Sequence, residues 1–313
     1  MTDLVAIARS FFAPGKGLLA ADESVHTVTA RLASYGIPAS TEMRRQYRDL
    51  FINAEGIEQY LSGIILFSET LLQKGNDRKL FPKSLAARGI LPGVKVDLGT
   101  EPFPSSPQEL ITQGLFDLPE RLSQYKKQGA VFTKWRTVFR ISGDDLPTNV
   151  AMHENAKRLA NYAKEVQSAG LVPIIEPEVL YEGKHSRARA RAVLTETLGT
   201  VFSVLEEHSV DRASVILKTS IALSGSESRK KDTPEEVAED TLAALMESVP
   251  RQIAGIVFLS GGQTPEQATE NLAAIIRRAR EVEAPWSLTF SYARALQEAA
   301  LSIWKGKEEN VPA

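Results

Sequence analysis

Short apolar segments recur along the whole chain, each bounded by Gly or Pro and followed by a polar turn and a helical pattern. They occupy residues 17–22, 63–67, 93–97, 130–136, 171–178, 213–220, 255–262 and 286–292. The segments do not alternate strictly between apolar and polar residues, which is typical of strands buried on both faces of a parallel sheet. Their ends fall roughly 30 to 45 residues apart, about the length of one strand-plus-helix unit. We therefore predict eight such units.

The segments between these strands carry helix start signals. Thr233-Pro234-Glu235-Glu236 and Thr264-Pro265-Glu266-Gln267 each place Thr at the N-cap, Pro at the first helical position and an acid or amide at the third. This pattern is a capping box. The same pattern in Ser106-Pro107-Gln108-Glu109 predicts a helix leading to residue 113. Two long helices are also predicted, over residues 149–169 and 186–208.

Eight strand–helix units without a dividing linker favour a fold of the α/β class, a single-domain (β/α)8 (TIM) barrel over residues 1–313. An N-terminal helix at about 2–12, with Phe11 and Phe12, is expected to pack on the barrel. A doubly wound open sheet is the competing architecture. No Gly-x-Gly-x-x-Gly motif follows the first strand and no P-loop motif occurs, so the nucleotide-binding forms of that fold lose support. The barrel is the better prediction.

Composition and charge narrow the range of partners. The 313 residues are 43% hydrophobic, and 37 Lys and Arg against 39 Asp and Glu give a net charge of −2. This balance argues against a nucleic acid or an anionic membrane as the partner. The sequence contains no signal-peptide pattern and no apolar run of membrane-helix length. We therefore expect a cytoplasmic protein.

Two absences in the sequence limit its chemistry. There is no cysteine, which excludes a disulfide framework, a thiolate metal site and a cysteine nucleophile. No pair of histidines has the H-E-x-x-H spacing of a helical metal site, and none of the four ends a predicted strand: His26, His153, His185 and His208. We therefore predict neither a metal nor another cofactor.

Charged and small polar residues end nearly every predicted strand. They are Asp22, Glu23 and Ser24; Lys95 and Asp97; Lys134 and Arg136; Glu176 and Glu178; Lys218; Ser260 to Gly262; and Ser291, with Arg294 just beyond. Residues two apart on a strand point the same way, and barrel active sites gather at the carboxyl ends of the strands. For any single pair a structural ion-pair network is the simpler interpretation. Charges at so many strand ends favour a site, because a buried ion pair often stabilises no more than an apolar replacement.

Lys218 is the candidate nucleophile. It follows Val215-Ile216-Leu217, inside a strand where an unpaired lysine is costly. A desolvated amine there is suited to attack a carbonyl and form a Schiff base. Glu176 and Glu178 would then transfer the protons that dehydrate the carbinolamine. A snorkelling lysine paired with a glutamate is the alternative, and the residues alone leave both interpretations open.

Ser260-Gly261-Gly262 is a candidate anion site. The two glycines let backbone N–H groups approach an anion closely, and a helix N-terminus follows at Thr264. Phosphate sites in barrels are often built after the seventh and eighth strands. Arg294 lies just after the eighth predicted strand. We therefore predict that Arg294 completes this site, although a Gly-Gly turn alone is more often a tight turn.

Several long segments, in order between about residues 10 and 308, are similar to those of one known family. They are GKGLLAADES, RLASYGI, GIILFSETL, LPGVKVDLG, QGAVFTKWR, LVPIIEPEVL, VILKTS, FLSGGQTPEQAT and FSYARALQEAAL. With these motifs the chain resembles the class I, Schiff-base-forming fructose-1,6-bisphosphate aldolases. The resemblance implies a (β/α)8 barrel, usually a homotetramer, that needs no metal. It also implies a lyase of glycolysis that reversibly cleaves fructose 1,6-bisphosphate into dihydroxyacetone phosphate and glyceraldehyde 3-phosphate.

The resemblance also implies roles for the residues. Lys218 resembles the Schiff-base lysine, Glu176 the acid–base glutamate, with Lys134 beside it and Glu178 in support. Asp22 resembles the carboxylate that handles the C4 hydroxyl. The groups that resemble the C1-phosphate site are Ser260, Gly261, Gly262, Ser291 and Arg294. Those that resemble groups near the other phosphate are Lys95, Arg136, Ser24 and Arg31.

The chain departs from the family pattern at four positions. Ala293 stands where the family commonly has glycine, and Thr219 where a proline is familiar. Ala30 and Leu98 stand where many relatives have lysine. We therefore expect the second phosphate to be held less strongly, whereas Ala293 still offers its N–H if its φ is negative. The terminal tyrosine that assists proton exchange in animal-type relatives has no match in this sequence.

Two other functions stay open. One is a Schiff-base aldolase for another phosphorylated ketose, such as fructose 1-phosphate or sedoheptulose bisphosphate. The other is a sugar-phosphate-binding barrel without catalysis. A binder needs the cations but not a nucleophile with an acid–base partner, so the presence of Lys218 together with Glu176 argues against it.

Overall fold

The computed structural model describes residues 3–312, and its barrel strands follow the predicted apolar segments. In chain order the strands are β1 (Gly17–Ala21), β2 (Leu61–Leu66), β3 (Leu91–Lys95), β4 (Thr100–Phe103), β5 (Ser106–Thr112), β6 (Phe132–Phe139), β7 (Val172–Val179), β8 (Ile216–Thr219), β9 (Gly255–Phe258) and β10 (Leu288–Tyr292). All except β4 and β5 pair in parallel into a closed barrel, in the order β1-β10-β9-β8-β7-β6-β3-β2. The single-domain (β/α)8 barrel is confirmed, and the competing open sheet is wrong.

The helices surround this barrel. In chain order they are α1 (Leu4–Ser10), α2 (Val25–Ser34), α3 (Thr41–Ile52), α4 (Ser68–Leu71), α5 (Phe81–Ala87), α6 (Leu118–Lys127), α7 (Asn149–Ser168), α8 (Arg187–Glu207), α9 (Pro234–Ser248), α10 (Pro265–Glu281) and α11 (Arg294–Trp304). The two long helices predicted from the sequence are confirmed as α7 and α8. Thr233 and Thr264 form the predicted capping boxes, with both reciprocal bonds present. These caps fix where α9 and α10 begin, directly after the barrel-strand loops.

The helix predicted from Ser106-Pro107-Gln108-Glu109 is wrong. These residues belong to β5, which pairs with β4 in an antiparallel hairpin beside the barrel. The Glu109 carboxylate does not cap its own segment, because it accepts bonds from the backbone N–H of Thr148 at 2.8 Å and from the Thr148 hydroxyl at 2.7 Å. A tertiary contact with the start of α7 therefore overrides the local capping pattern. Pro107 is tolerated because the hairpin has only two strands.

The N-terminal segment closes one end of the barrel. Residue 2 of the helix predicted at 2–12 lies outside the described residues, and α1 begins after Asp3, whose side chain accepts a bond from the Ala6 N–H at 2.9 Å. Phe11 follows α1, is fully buried and meets Phe132 of β6 edge to face, with ring centroids 4.8 Å apart. A Cβ on Gly63 of β2 would lie 2.9 Å from the Phe11 ring. The aromatic ring therefore fits only because this barrel strand has no side chain there.

The barrel interior changes from apolar to charged within one step along the strands. At the closed end it is filled by fully buried side chains, Leu18, Phe132, Ile174, Ile216 and Val257. Because residues two apart on a strand face the same side, the next inward layer holds Lys134, Glu176 and Lys218. The strand registers place Lys134 beside Ile174, and Ile174 beside Ile216. The charged layer thus lies directly on an apolar floor.

Candidate active site

The carboxyl ends of the barrel strands surround a cavity of about 550 Å³. Of the fourteen predicted site residues, all except Gly262 and Arg31 line it, namely Asp22, Ser24, Lys95, Lys134, Arg136, Glu176, Glu178, Lys218, Ser260, Gly261, Ser291 and Arg294. Another groove of about 640 Å³ lies between the β4–β5 hairpin and α7, but none of the predicted site residues lines it. The structure therefore brings the predicted charges together in one place.

Four side chains form a continuous line of alternating charges at the centre of the cavity. The Lys134 ammonium lies 2.7 Å from Asp22 Oδ2 and 2.9 Å from Glu176 Oε2. The other oxygen of Glu176, Oε1, lies 3.0 Å from Lys218 Nζ. All four residues are at most 8% exposed. Lys134 therefore bridges two carboxylates, and one of these carboxylates contacts the candidate nucleophile.

Burial and charge act in opposite directions on these groups. Burial alone would raise the pKa of Asp22, but the positive charges of Lys134, Lys218 and Lys95 lower it to about 2. Burial also opposes ionisation of Glu176, and there too the neighbouring cations Lys134, Lys218 and Arg136 hold its pKa below the usual value. Burial would lower the pKa of Lys134, but its carboxylate partners raise it above the ordinary range. Asp22 and Glu176 are therefore carboxylates at neutral pH, and Lys134 is an ammonium.

The Glu176 oxygen that pairs with Lys134 has incomplete hydrogen bonding. Its Oε2 lies close to Lys134 Nζ but completes no hydrogen bond with any residue from 3 to 312. A buried carboxylate oxygen without a hydrogen bond is unusual, since most buried polar atoms find a partner. Beyond the ion pair with Lys134, this oxygen keeps unused acceptor capacity, which suits a carboxylate that exchanges a proton with a bound molecule.

One end of the cavity has the composition of an anion site. We call Ser260, Gly261, Gly262, Ser291 and Arg294 the glycine end. Gly261 and Gly262 have φ values of +55° and +89°, which L-residues with side chains rarely adopt. Ser291 is 1% exposed, and its hydroxyl finds no hydrogen-bond partner in the part of the chain that the structure describes. Both observations fit a backbone and a hydroxyl arranged for a ligand.

Arg294 supplies the positive charge of the glycine end. It is the first residue of α11 and lines the cavity. Gly262 lies just behind it, since a Cβ on this glycine would be 3.6 Å from Arg294 Nη2. Within residues 3–312 no carboxylate lies at ion-pair distance from Arg294, in contrast to the paired cations Lys95 and Arg136. Its guanidinium is therefore available to an anionic ligand.

The opposite end of the cavity carries cations that already have partners. We call Ser24, Lys95 and Arg136 the lysine end. The Lys95 ammonium pairs with Asp97, and the Arg136 guanidinium pairs with Glu178. Ser24 is the N-cap of α2, and its hydroxyl accepts a bond from the Thr27 N–H at 3.3 Å. Cations and a hydroxyl are present here too, but the cations are neutralised locally.

Arg31 is not placed at the cavity, contrary to the predicted phosphate contact. Its Nη1 donates to Glu23 at 3.0 Å and to Gln297 at 2.7 Å, and its Nη2 donates to Glu298 at 2.9 Å. These bonds connect α2 to α11. Because its guanidinium is occupied in this way, Arg31 acts here as a tie between two helices.

The structure adds cavity residues that the sequence analysis did not select as site residues. Glu23 and Asp97 line the cavity, and both were visible as polar residues at strand ends. Phe67 and Ser68 also line it, directly after β2. Both follow directly after a barrel strand, so their position alone could have identified them. The sequence analysis selected strand ends by their charged residues, and β2 ends without one.

Three of the four departures from the family pattern, Ala293, Leu98 and Thr219, lie at the cavity or directly beside it. Ala293 lines the cavity with a φ of −106°, so its methyl group causes no left-handed strain. Leu98 lies at the rim and is 65% exposed. Thr219 is fully buried in β8, directly after Lys218. None of these substitutions disturbs the line of charges at the centre.

The described part of the chain offers neither a cluster of metal ligands nor a membrane-spanning helix. Between residues 3 and 312, no group of three or more His, Asp and Glu side chains is arranged to hold a metal ion. None of the helices in this range is both long and apolar enough to cross a membrane.

Known proteins resemble this chain over nearly all of its length. A family model described as glycolytic, class I fructose-bisphosphate aldolase matches residues 3–313. A fructose-bisphosphate aldolase of Drosophila melanogaster is 45% identical over 312 residues, which is 99% of this chain and 85% of that protein. The cytosolic fructose-bisphosphate aldolase 6 of Arabidopsis thaliana is 45% identical over 309 residues, with the same two shares.

A solved structure agrees with these sequences. Fructose-bisphosphate aldolase from Plasmodium falciparum, in complex with TRAP and a small-molecule inhibitor, superposes with a TM-score of 0.96. It is 41% identical and covers 99% of this chain and 88% of its own. Because both the sequence and the fold match across the barrel that carries the buried lysines and carboxylates, the chain belongs to the class I fructose-bisphosphate aldolase family.

Proposed function

We propose that this chain reversibly cleaves fructose 1,6-bisphosphate into dihydroxyacetone phosphate and glyceraldehyde 3-phosphate through a Schiff base on Lys218. The observation that carries the proposal is the contact between Lys218 Nζ and the Glu176 carboxylate, 3.0 Å apart in the charged layer of the barrel. The names of the similar proteins support the substrate. In this reaction the lysine supplies the electron sink, so no metal or other cofactor takes part.

Schiff-base formation needs a nucleophile and a proton carrier in contact. The Lys218 amine, once it has given up a proton, attacks the C2 carbonyl of the open-chain ketose and forms a carbinolamine. Loss of the C2 hydroxyl as water requires a proton, and Glu176 lies close enough to relay it. The product is a protonated imine. Lys134 supports this step because its charge stabilises Glu176 as a carboxylate between proton transfers.

Carbon–carbon cleavage needs a base at the C4 hydroxyl. Asp22, held ionised by its cation neighbours, takes the proton from that hydroxyl. The C3–C4 bond then breaks, C4 becomes the aldehyde carbon, and the electron pair moves into the protonated imine to give an enamine. Protonation of the enamine at C3, followed by hydrolysis, releases dihydroxyacetone phosphate and restores Lys218. The proton taken from the C4 hydroxyl balances the one added at C3, and water supplies the carbonyl oxygen of dihydroxyacetone phosphate.

The two ends of the cavity bind the two phosphates in this proposal. The C1 phosphate is held at the glycine end by Arg294, the Ser291 hydroxyl and the backbone N–H groups around Gly261. The C6 phosphate lies at the lysine end, near Lys95 and Arg136. Cations on both sides of the reacting centre suit a substrate with a phosphate at each end. No observation favours a non-catalytic sugar-phosphate binder, since such a barrel has no need for the contact of Lys218 with Glu176.

We also propose that the protein is cytoplasmic and assembles as a homotetramer. The location is supported by the cytosolic relative in Arabidopsis, and the assembly by the resemblance to the family. Size-exclusion chromatography with light scattering measures the assembly directly. One chain has a mass of 34.3 kDa, so a measured mass near this value would overturn the proposed tetramer.

Reductive trapping tests the reaction. The protein is incubated with dihydroxyacetone phosphate, reduced with borohydride, digested and mapped by mass spectrometry. We expect one modified peptide, with the adduct on Lys218. Omission of the borohydride serves as the control, because the imine then hydrolyses. An adduct on another lysine would refute the assignment of Lys218, and a folded protein without any adduct would favour the binding function.

A further inference from the structure

Asp97 is a buried carboxylate at the lysine end that the proposed reaction does not use. It follows β3 directly, is 5% exposed and lines the cavity. Its distance in sequence from Lys95 is two residues, so both side chains leave the strand end on the same side of the barrel. A buried carboxylate is costly unless it is paired and hydrogen-bonded. Its contacts therefore indicate what it does.

Asp97 is fixed by backbone groups on two sides. Its Oδ2 accepts a bond from the Arg136 N–H at 3.2 Å, and its Oδ1 accepts one from the Gly99 N–H at 3.3 Å. The backbone ladder between β3 and β6 ends one residue earlier, where the Val96 N–H donates to the Lys134 carbonyl at 3.0 Å. The Asp97 side chain thus continues this ladder beyond the strand. Its carboxylate is held by the barrel wall itself.

Lys95 is in turn fixed by Asp97. The Lys95 ammonium donates to Asp97 Oδ1 and, at 2.8 Å, to the Asp97 carbonyl. An ammonium has three donors, so two are used here and one remains for a ligand in the cavity. A lysine on its flexible stem carries about 2 kcal/mol of rotamer entropy. With both bonds in place, a phosphate does not have to order this side chain when it binds.

We propose that Asp97 is a positioning residue that holds Lys95 toward the second phosphate and so sets the preference for bisphosphate over monophosphate ketoses. This inference rests on the proposed function. Asp97 makes no hydrogen bond to Asp22, Lys134, Glu176 or Lys218 among the described residues, because its bonds run to Lys95 and to backbone N–H groups. A ketose without a phosphate at C6 gains nothing from an ordered Lys95. Fructose 1-phosphate is therefore the natural reference substrate.

The test compares Asp97→Asn with the unchanged protein on fructose 1,6-bisphosphate and fructose 1-phosphate. We expect KM for the bisphosphate to rise about tenfold, as for a weakened charge-assisted hydrogen bond. The kcat for the bisphosphate and both constants for fructose 1-phosphate should change less than about twofold. Glu239→Gln is the matched control, since it also turns a paired carboxylate into an amide, but Glu239 pairs with Arg278 at 2.9 Å on the surface and does not line the cavity.

A double-mutant cycle separates positioning from a structural role. In a Lys95→Met background, Asp97→Asn should cause no further rise in KM for the bisphosphate, because Asp97 acts through Lys95. An additional rise in that background would overturn the proposal. An equal loss on both substrates would also overturn it, because the residue would then act on the reacting centre. If Asp97→Asn fails to fold, Asp97→Ser retains an acceptor for the Arg136 N–H and is used in the same cycle.

A binding measurement keeps this inference separate from the proposed reaction. Thermal stabilisation by each ketose phosphate is recorded for the unchanged protein and for Asp97→Asn. We expect the variant to lose stabilisation by the bisphosphate selectively. A chain that binds both ketoses without turnover would overturn the proposed reaction, while the same comparison would still decide the role of Asp97. Equal stabilisation of both proteins by the bisphosphate would overturn that role.

Discussion

The two ends of the cavity contain similar residue types but differ in how their cations are partnered. At the glycine end, Arg294 has no carboxylate at ion-pair distance among residues 3–312, and the Ser291 hydroxyl has no hydrogen-bond partner there. At the lysine end, Lys95 pairs with Asp97 and Arg136 with Glu178. The first end is therefore arranged for an anion before the anion arrives. A phosphate at the second end would have to share these cations with the carboxylates that already pair with them.

Because of this difference, we expect one end to contribute mainly to substrate affinity and the other mainly to substrate selectivity. A phosphate at the glycine end gains an uncompensated positive charge, although it must order the Arg294 side chain when it binds. A phosphate at the lysine end gains less, because nearby carboxylates already compensate the charge, but it meets cations in fixed positions. Electrostatic complementarity of this kind contributes more to selectivity than to affinity. We expect the C1 phosphate to anchor the substrate and the second phosphate to select it.

The largest effect is expected from removal of Lys218, the proposed nucleophile that lies between the two ends. Lys218→Ala should lower kcat by at least about a thousandfold on both ketose phosphates, because no Schiff base can form. Binding at the two ends should survive, so thermal stabilisation by the bisphosphate should persist. Circular dichroism checks that the fold is intact. Substantial residual turnover would refute the nucleophile.

Arg294→Met removes the free cation of the glycine end. Since both fructose 1,6-bisphosphate and fructose 1-phosphate carry a C1 phosphate, KM should rise about a hundredfold for each, as for a lost charge-assisted contact. Steady-state kinetics measure both values. Arg278→Met is the matched control, because Arg278 lies on the surface of α10 and pairs with Glu239. A loss confined to the bisphosphate would mean that the two ends have been assigned in the wrong order.

Acid should weaken the centre that lies between the two ends. The pKa of Asp22 is lowered from 3.8 to about 2, so its ionised form stabilises the fold above pH 4. As the pH falls from about 4 to 2, this contribution, about 2 kcal/mol, should be lost. Urea unfolding of the ligand-free protein at a series of pH values measures it. Asp22→Asn should show a shallower decline over this range, and parallel curves for the two proteins would contradict the prediction.

Lys95→Met tests the lysine end and should have a smaller effect than Arg294→Met. We expect about a tenfold rise in KM for fructose 1,6-bisphosphate and no change for fructose 1-phosphate, because only the former carries a phosphate there. The ratio of kcat/KM for the two ketoses reports the effect directly. An equal loss on both would show that Lys95 acts on the shared centre and not at one end.

The eight barrel strands and the charges at their ends were predictable because both depend on short-range rules. Parallel strands buried on two faces are continuously apolar, and period-two alternation places Lys134, Glu176 and Lys218 in one inward layer. The capping box at Ser106 failed for the opposite reason. Its Glu109 meets Thr148, and a local pattern cannot reveal a partner 39 residues away.

The sequence also could not predict which cations form ion pairs with carboxylates. In the sequence, Arg31 and Arg294 are equally good candidates for a phosphate contact. In the structure, the Arg31 guanidinium donates hydrogen bonds to Gln297 and Glu298, more than 260 residues away, whereas Arg294 has no such partner among the described residues. Which cation is free depends on how α2 and α11 pack, and that is decided by the whole barrel. The sequence therefore predicted which residues meet but not which of them remain available to a ligand.

The aromatic seal at the closed end of the barrel constrains the order of events during turnover. Phe11 and Phe132 fill the floor beneath the charged layer, so molecules enter and leave only through the mouth formed by the carboxyl ends of the strands. The aldehyde product must therefore depart by the route through which the ketose arrived. In the proposed reaction the three-carbon remainder is meanwhile tethered to Lys218, so it cannot leave before the aldehyde. In the proposed synthetic direction the ketone must enter first, because only the enamine that it forms on Lys218 can attack an aldehyde, and the aldehyde then follows through the same mouth.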